Sequence, residues 1–304
     1  MIIEKIKKGQ IMVYYVVKDY DDSKLLSILN TKLHKNQIKL IIDHDADVYT
    51  KEGKLLLKFR KNKLKKEYID EFYDNVISFA SLPTNNRGSA SSSNHKNVYD
   101  NPLIMTNILG YFDKFSPKQK SLINKQNKNI KVSVRETRFN VDFPEKFKKL
   151  IPLIKQIDQS YKKYIPDKYL KQKKKANQTP FKINNTSFTT ITTNVNFQTS
   201  VHTDKGDDDD GFGNLVVIEK GKYTGGETCF PQYGVGVDVR TADILFMNVH
   251  QAHGNLPIIL ETPEAKRLSI VCYLRKGIWN QTKGKTVKYM IQHNKTIKKL
   301  RKQK

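Results

Sequence analysis

The spacing of apolar residues changes along the chain, and each change predicts a different kind of element. Up to residue 83 the apolar runs are short and of strand length: Met12-Val13-Tyr14-Tyr15-Val16-Val17, Lys39-Leu40-Ile41-Ile42 and Leu55-Leu56-Leu57-Lys58-Phe59. Tyr49 to Lys54 reads as the turn before the third run. The basic stretch Arg60 to Lys66 leads into a helix predicted over Glu67 to Phe79, with Tyr68, Ile69, Phe72, Tyr73, Val76 and Ile77 along one side. Asp43-His44-Asp45-Ala46-Asp47 is read as a solvated turn and not a metal site, since no second cluster accompanies it. Thr84 to Asn97 is polar, rich in small residues and linker-like.

Ser116 to Lys131 is polar and basic, and Val132-Ser133-Val134 suggests a short strand. From Pro144 the residues Phe147, Leu150, Ile151, Ile154, Ile157, Tyr161 and Tyr164 recur at three- and four-residue steps, which predicts an amphipathic helix. Pro152 falls inside it and predicts a kink or a break. After the polar, basic stretch Lys171 to Gln178 the period becomes two. Strands are predicted over 188–197, 215–219, 227–230, 235–239, 244–249 and 267–274, with Gly225-Gly226 and Gly234 among the breakers. Closely spaced strands with glycine-rich turns point to a jelly roll. The expected class is therefore α+β and mainly β: a double-stranded β-helix, cupin-like core with flanking helices and an N-terminal α/β elaboration. The expected divisions are 1–98 for that elaboration and its linker, 99–279 for the core, and 280–304 for a basic tail.

Composition narrows the partner. The 304 residues carry 55 Lys+Arg against 30 Asp+Glu, a formal net charge of +25. That excess favours a polyanion, nucleic acid first, over a mere lysine-rich bias. The tail from Lys276 onward contains no Asp or Glu; a solvated arm and a phosphate-binding arm explain it equally well. Cys229 and Cys272 make no disulfide framework. No apolar run is long enough to span a membrane. A soluble intracellular protein, in the nucleus or cytoplasm (that of an infected host included), and presumed monomeric, is expected.

The chemistry lies between Val201 and Arg275. His202-Thr203-Asp204 puts an imidazole and a carboxylate on one face of a strand. A third ligand must come from elsewhere, and His250 and His253 compete for it. His253 is preferred because it sits where a strand runs into Gly254-Asn255-Leu256-Pro257. Two imidazoles and one carboxylate on one face of Fe(II) leave positions for a cosubstrate and O2. Alternation along the last strand places Arg267, Ser269, Val271, Tyr273 and Arg275 on one side. A buried guanidinium needs an anion, and the distal carboxylate of 2-oxoglutarate fits its fork, with Ser269 adding a hydrogen bond. An internal Asp or Glu is the competing partner. Asp207 to Asp210 reads as a solvated loop, with Asp207 nearest to a substrate.

These parts stand in a familiar order. His202-Thr203-Asp204-Lys205-Gly206-Asp207, Gly211-Phe212-Gly213-Asn214-Leu215, Gly225-Gly226-Glu227, Phe230-Pro231-Gln232-Tyr233, Val237-Asp238-Val239-Arg240, His253-Gly254-Asn255 and Arg267-Leu268-Ser269 lie in order along about a quarter of the chain. Together they resemble the Tet and J-binding-protein family of nucleic-acid base oxygenases, particularly its viral and phage members. The resemblance implies a double-stranded β-helix, Fe(II) on His202, Asp204 and His253, and 2-oxoglutarate on Arg267 and Ser269 with help from Arg135. It implies substrate contacts from Asp207, Tyr273 and Arg275, with looser likeness at Asn86-Arg87-Gly88. Asp207 stands where Tet enzymes have an amide, and Arg275 where they have a histidine.

The expected activity is Fe(II)/2-oxoglutarate-dependent hydroxylation of the C5 methyl of 5-methylcytosine or thymine in DNA, on a base flipped out of the duplex. A protein side-chain hydroxylase of the same superfamily explains the metal set but not the charge. A non-catalytic jelly-roll nucleic-acid binder explains the charge but leaves Arg267 without an anion.

Overall fold

The computed structural model describes residues 2–84, 104–115 and 132–302, with residues 121, 124 and 125 besides. The chain forms two compact units that interleave in sequence. The first comprises Met1–Asn107, Thr192–Lys205 and Phe212–Val271; the second comprises Ile108–Ile191, Gly206–Gly211 and Cys272–Lys304.

The first unit is a pair of layered sheets. Its larger sheet contains β1 (Ile2–Lys8), β2 (Ile11–Val16), β4 (Ala46–Thr50), β5 (Leu55–Arg60), β9 (Gly213–Lys220) and β13 (Ile244–Met247). Residues 192–195 of β8 (Thr190–Val195) and 266–271 of β16 (Lys266–Tyr273) complete it, in the order β1-β2-β4-β5-β13-β9-β16-β8. The smaller sheet runs β14 (Gly254–Asn255), β11 (Thr228–Phe230), β12 (Val235–Val237), β3 (Leu40–Ile42). A two-stranded ribbon pairs β10 (Tyr223–Gly225) with β15 (Ile258–Leu260). Helices α1 (Asp22–Ile28) and α2 (Lys66–Ala80) also belong to this unit.

Side chains from both sheets share one core: Tyr14, Val48, Leu57 and Leu245 from the larger, Ile42, Phe230, Val235 and Val237 from the smaller. Each such burial contributes roughly 1.5–3 kcal/mol of transfer free energy. Runs such as Leu215-Val216-Val217-Ile218 are buried on both faces, as an interior strand must be. The fold is thus α+β with a double-stranded β-helix core. The N-terminal strands are built into it, since β5 pairs antiparallel with β13 and β3 pairs parallel with β12. The segment 43–47 is not wholly a solvated turn: β4 begins at Ala46, and Asp47 lies opposite Lys58 and ion-pairs with Arg60 at 2.7 Å. A charged residue inside a strand hid the element. His44 is no metal ligand among the described residues; its Nε2 meets the Tyr14 hydroxyl at 2.9 Å and its Nδ1 meets Asp43 at 2.9 Å.

The second unit is mostly helical. Strand β6 (Thr106–Phe112), most of which falls here, pairs with β7 (Arg135–Glu136). The helices are α3 (Arg138–Asp142), α4 (Pro144–Tyr164), α5 (Pro166–Asn177), α6 (Lys276–Thr282) and α7 (Val287–Lys302). Of the expected kink or break at Pro152, a break does not occur: α4 runs through it. One missing N–H is outweighed by the stripe that α4 buries, Leu150, Leu153, Ile154, Ile157 and Tyr161. Val132-Ser133-Val134 is not a strand; Val132 and Val134 instead enter a core with Tyr111, Phe181 and Ile278. The polar stretch 171–178 is largely helical, because Tyr169, Gln172 and Ala176 bury one face of α5. Most of the expected basic tail is α7, anchored by buried His293, whose Nε2 donates to the Val134 carbonyl at 2.6 Å. Among the described residues no helix is long and apolar enough to cross a membrane.

Candidate active site

His202 and Asp204 lie between β8 and β9, outside regular strand, and His253 immediately precedes β14. The expected strand geometry for His202-x-Asp204 is replaced by cross-chain stapling. His202 and His253 form an isolated antiparallel bridge in which each N–H donates to the other's carbonyl at 2.9 Å. The Asp204 N–H donates to the Val249 carbonyl at 3.0 Å, so the 248–253 segment is tied down on both sides of the pair. The two imidazole centroids come within 4.5 Å of each other.

Both imidazoles are oriented by their own backbone. His202 Nδ1 faces the Ser200 carbonyl at 2.7 Å, and His253 Nδ1 faces the Gln251 carbonyl at 2.9 Å. A carbonyl can only accept, so each Nδ1 is a donor and each Nε2 is the ring nitrogen left for a ligand. Those Nε2 atoms stand 3.8 Å and 3.6 Å from the two Asp204 carboxylate oxygens. One ligand atom from each of the three residues lies within 4.8 Å of the others, close enough to share one ion. Two imidazoles and one carboxylate suit Fe(II) with open positions. His250 stays out of this cluster; its N–H donates to Asn248 Oδ1 at 3.2 Å.

In the same unit Arg267 is 4% exposed. Its Nη2 donates to the Gly226 carbonyl at 2.8 Å, and no described carboxylate comes within ion-pairing distance. Other inward arginines do have one: Arg60 has Asp47 at 2.7 Å, and Arg240 has Asp238 at 2.6 Å. Burial pulls the Arg267 pKa down, opposed by Tyr223. The competing reading, an internal ion pair, therefore finds no partner among the described residues. A buried guanidinium without a counter-charge calls for an anionic ligand. Gly226 is needed for the approach: its φ is +78°, and a Cβ there would sit 2.8 Å from Arg267 Nε. Ser269 is buried beside this strand position, and its Oγ accepts from Asn194 Nδ2 at 3.2 Å, which leaves its own proton for another acceptor. Asn194 is oriented in turn by the Thr106 hydroxyl at 2.9 Å. These residues fit a 2-oxo acid with a second carboxylate.

The second unit gathers the other candidates. Asp207 and Arg275 face each other across an isolated bridge, and Tyr273 closes β16. Arg275 is gripped by Asp113, Nε to Oδ1 at 2.8 Å and Nη2 to Oδ2 at 3.3 Å, with its guanidinium 4.7 Å from the Phe112 ring centroid. Arg135 lies 5.7 Å from the same ring and donates to the Lys114 carbonyl at 2.7 Å. The acidic run is not the expected solvated loop. Asp207 and Asp208 are buried, Lys175 pairs with Asp208 and Asp210, and Lys276 pairs with Asp209. Asn86 and Arg87 lie outside the described residues. Sequence reasoning missed Tyr223, Asn194 and Asp113, for which no motif or period offered a signal.

The Arg275 and Asp113 side chains are 12% and 10% exposed, so the pair is a buried one. Asp113→Ala should cost about 3 kcal/mol, because it strands a charge. A urea midpoint would read it, and adding Arg275→Met should restore most of the loss. An unshifted midpoint in the single variant would refute the pairing.

The family model of the oxygenase domain of the 2OGFeDO superfamily, Tet_JBP, matches residues 120–276. Thymine dioxygenase JBP1 of Trypanosoma brucei brucei is 33% identical over 156 residues, which cover 50% of this chain and 18% of that protein. Bifunctional helicase and thymine dioxygenase JBP2 of Leishmania tarentolae is 37% identical over 127 residues, 42% of this chain and 11% of that protein. The chain thus spans at most about a fifth of the length of these relatives, and they lend no support to a particular likeness to viral and phage members. NgTET1, solved in complex with 5mC DNA, has a similar fold: TM-score 0.51 at 16% identity, covering 93% of this chain and 90% of that one. Superfamily membership brings Fe(II), 2-oxoglutarate and O2, and the His-Asp-His cluster suits them. With its matched segment spanning just over half the sequence, the chain belongs to the Tet/JBP family of 2-oxoglutarate- and Fe(II)-dependent oxygenase domains.

Proposed function

We propose that this domain hydroxylates the C5 methyl of a pyrimidine base in DNA, with thymine ahead of 5-methylcytosine. The observation that carries the reading is the pairing, in one unit, of the His202–Asp204–His253 cluster with a buried Arg267 that lacks a carboxylate. Thymine is placed first because relatives from two trypanosomatid genera are named thymine dioxygenases.

In this reading His202 Nε2, Asp204 and His253 Nε2 hold the iron, while Arg267 and Ser269 hold the distal carboxylate of 2-oxoglutarate. Bound iron with its cosubstrate supplies the oxidising power: one oxygen of O2 enters the methyl C–H bond, and the other enters succinate as CO2 leaves. Asp207, Tyr273 and Arg275 contact the base. Asp113 occupies the Nε and Nη2 side of Arg275, which leaves Nη1 as the donor to an exocyclic or ring acceptor. Arg135 is assigned to the cosubstrate, and Asn86 and Arg87 to the substrate strand, on family position alone. The base is flipped from duplex DNA, since a stacked methyl cannot enter such a site. The net charge of +25 supplies phosphate contacts. Cys229 and Cys272, both buried and neither in a disulfide, suit a reducing compartment, nucleus or cytoplasm.

The test is nucleoside mass spectrometry after incubating the protein with Fe(II), 2-oxoglutarate, ascorbate and matched duplexes. One duplex carries thymine as its only methylated pyrimidine; the other carries 5-methylcytosine as well. One added oxygen on thymidine is the expected result. Gain confined to 5-methylcytosine would overturn the choice of base. Gain on neither, with iron and 2-oxoglutarate bound, would overturn DNA as substrate.

A further inference from the structure

Helix α7 divides into two faces. One lies inside the second unit: His293 and Ile297 are 9% and 4% exposed, His293 Nε2 donates to the Val134 carbonyl, and the Tyr111 hydroxyl donates to Met290 Sδ at 3.5 Å. On the opposite side Lys288, Gln292, Lys295 and Lys299 are exposed. Steps of four, three and four residues put them on one line along the helix, with Lys298 beside it. At a rise of about 1.5 Å per residue the line from Lys288 to Lys299 is about 16 Å long.

No described carboxylate lies within ion-pairing distance of Lys288, Lys295, Lys298 or Lys299, and the sequence from Lys276 onward has no Asp or Glu. The other long helices of the unit differ. On α4 Lys148 meets Glu145 at 2.8 Å; on α5 Lys175 meets Asp210 at 2.8 Å and Lys171 meets it at 3.8 Å. Lysines three and four apart on one helix face repel, so Lys295 beside Lys298 and Lys299 weakens α7. A solvated face gains nothing from that arrangement, whereas a polyanion laid along it turns repulsion into attraction.

The two faces together select the polyanion. Each strand of a DNA duplex presents one phosphate per ~3.4 Å of helix axis, so a straight line of about 16 Å runs beside several of them. An anionic membrane is the other polyanion that a basic helix meets, but such a helix lies with its apolar face in the lipid. The apolar face of α7 is already taken by the protein core, and on its outer side Val287 and Ile291 are the only exposed large apolar residues among those described.

We infer that the exposed face of α7, Lys288, Lys295 and Lys299 with Lys298 beside them, docks on the phosphate backbone of duplex DNA flanking the target base. The choice of duplex DNA rests on the proposed function; the call for a polyanion does not. Asp207, Tyr273 and Arg275, assigned there to the base, belong to the same unit. Helix α7 then supplies affinity without regard to sequence, and the base contacts supply selection.

The experiment is fluorescence anisotropy of a labelled, thymine-containing duplex titrated with the full chain over a range of salt concentrations. Lys288→Gln/Lys295→Gln/Lys299→Gln removes the line of charge and keeps residues that favour helix. The three side chains are exposed, so its thermal midpoint should match that of the parent. The slope of log K against log salt should become shallower by about 2.7, at ~0.9 per phosphate contact, and affinity at about 0.15 M salt should fall on the order of 100-fold. Lys18→Gln/Lys66→Gln/Lys148→Gln removes the same charge from lysines already paired with Asp22, Asp70 and Glu145, and should keep most of the parent slope. An unchanged slope in the α7 variant, with a parent that binds the duplex, would overturn the inference. An equal fall in both variants would also overturn it, by tracing binding to net charge alone. So would a parent that ignores the duplex but sediments with phosphatidylserine vesicles. A parent that binds the duplex through α7 yet adds oxygen to no base would overturn the proposed function and uphold the surface.

Discussion

Asp204→Ala is expected to abolish iron-dependent succinate release and to weaken metal binding by more than about 100-fold, since losing even an outer hydrogen-bond partner of a ligand costs about 10–100-fold. The carboxylate is central in this geometry: its oxygens lie 3.8 Å and 3.6 Å from the two imidazole Nε2 atoms, whose Nδ1 atoms already point to carbonyls. Without Asp204 the remaining pair of imidazole nitrogens brings no negative charge to a divalent ion. The loss is measurable without turnover. At a metal concentration of about 100 times the parent dissociation constant, binding stabilises the fold by about 2.7 kcal/mol. A 100-fold weaker variant retains about 0.4 kcal/mol under the same conditions. Differential scanning calorimetry with and without Mn(II) would read this directly. A variant that kept the full metal-induced shift would refute Asp204 as a ligand.

Arg267→Met should produce effects of opposite sign on binding and on stability. Affinity for 2-oxoglutarate should fall by about 3 kcal/mol, roughly 150-fold, because a desolvated carboxylate would lose its charged partner. The ligand-free protein should become more stable by roughly 1 kcal/mol, since an unpaired buried charge is exchanged for an apolar side chain of similar volume. The structural basis is a guanidinium 4% exposed with a carbonyl at 2.8 Å as its bonded acceptor and no described carboxylate in reach. Urea midpoints and calorimetric titration together would check both halves. A loss of stability on the scale of Asp113→Ala would show that Arg267 is a structural pillar like Arg275, and would remove the anion-site argument.

The contrast between those two arginines shows where sequence reading runs out. Arg267 and Arg275 sit on the same alternating face of one predicted strand, and nothing in that pattern separates them. Asp113 grips one and no described carboxylate reaches the other, which depends on residues more than a hundred positions away. Asp47 misled in the same way: a carboxylate read as turn chemistry is strand interior, because Arg60 and Lys58 neutralise it. Pro152 argued locally for a kink or a break in the predicted helix, and the apolar stripe on either side of it keeps the helix unbroken.

By itself the sequence determined the kinds of element in the periodic stretches, the β-rich core after residue 188, and the order of His202, Asp204, His253 and Arg267, from which the chemistry could be read. Those features are local or depend only on order along the chain. The tertiary structure alone decided that β5 and β3 extend the two core sheets, and that the candidate metal-binding cluster rests on a mutual backbone bridge between 202 and 253. It alone placed Gly226 at Arg267. Periodicity encodes which face of an element is buried, but not which distant element covers it. Whether a buried charge or hydroxyl is satisfied is a property of that covering surface.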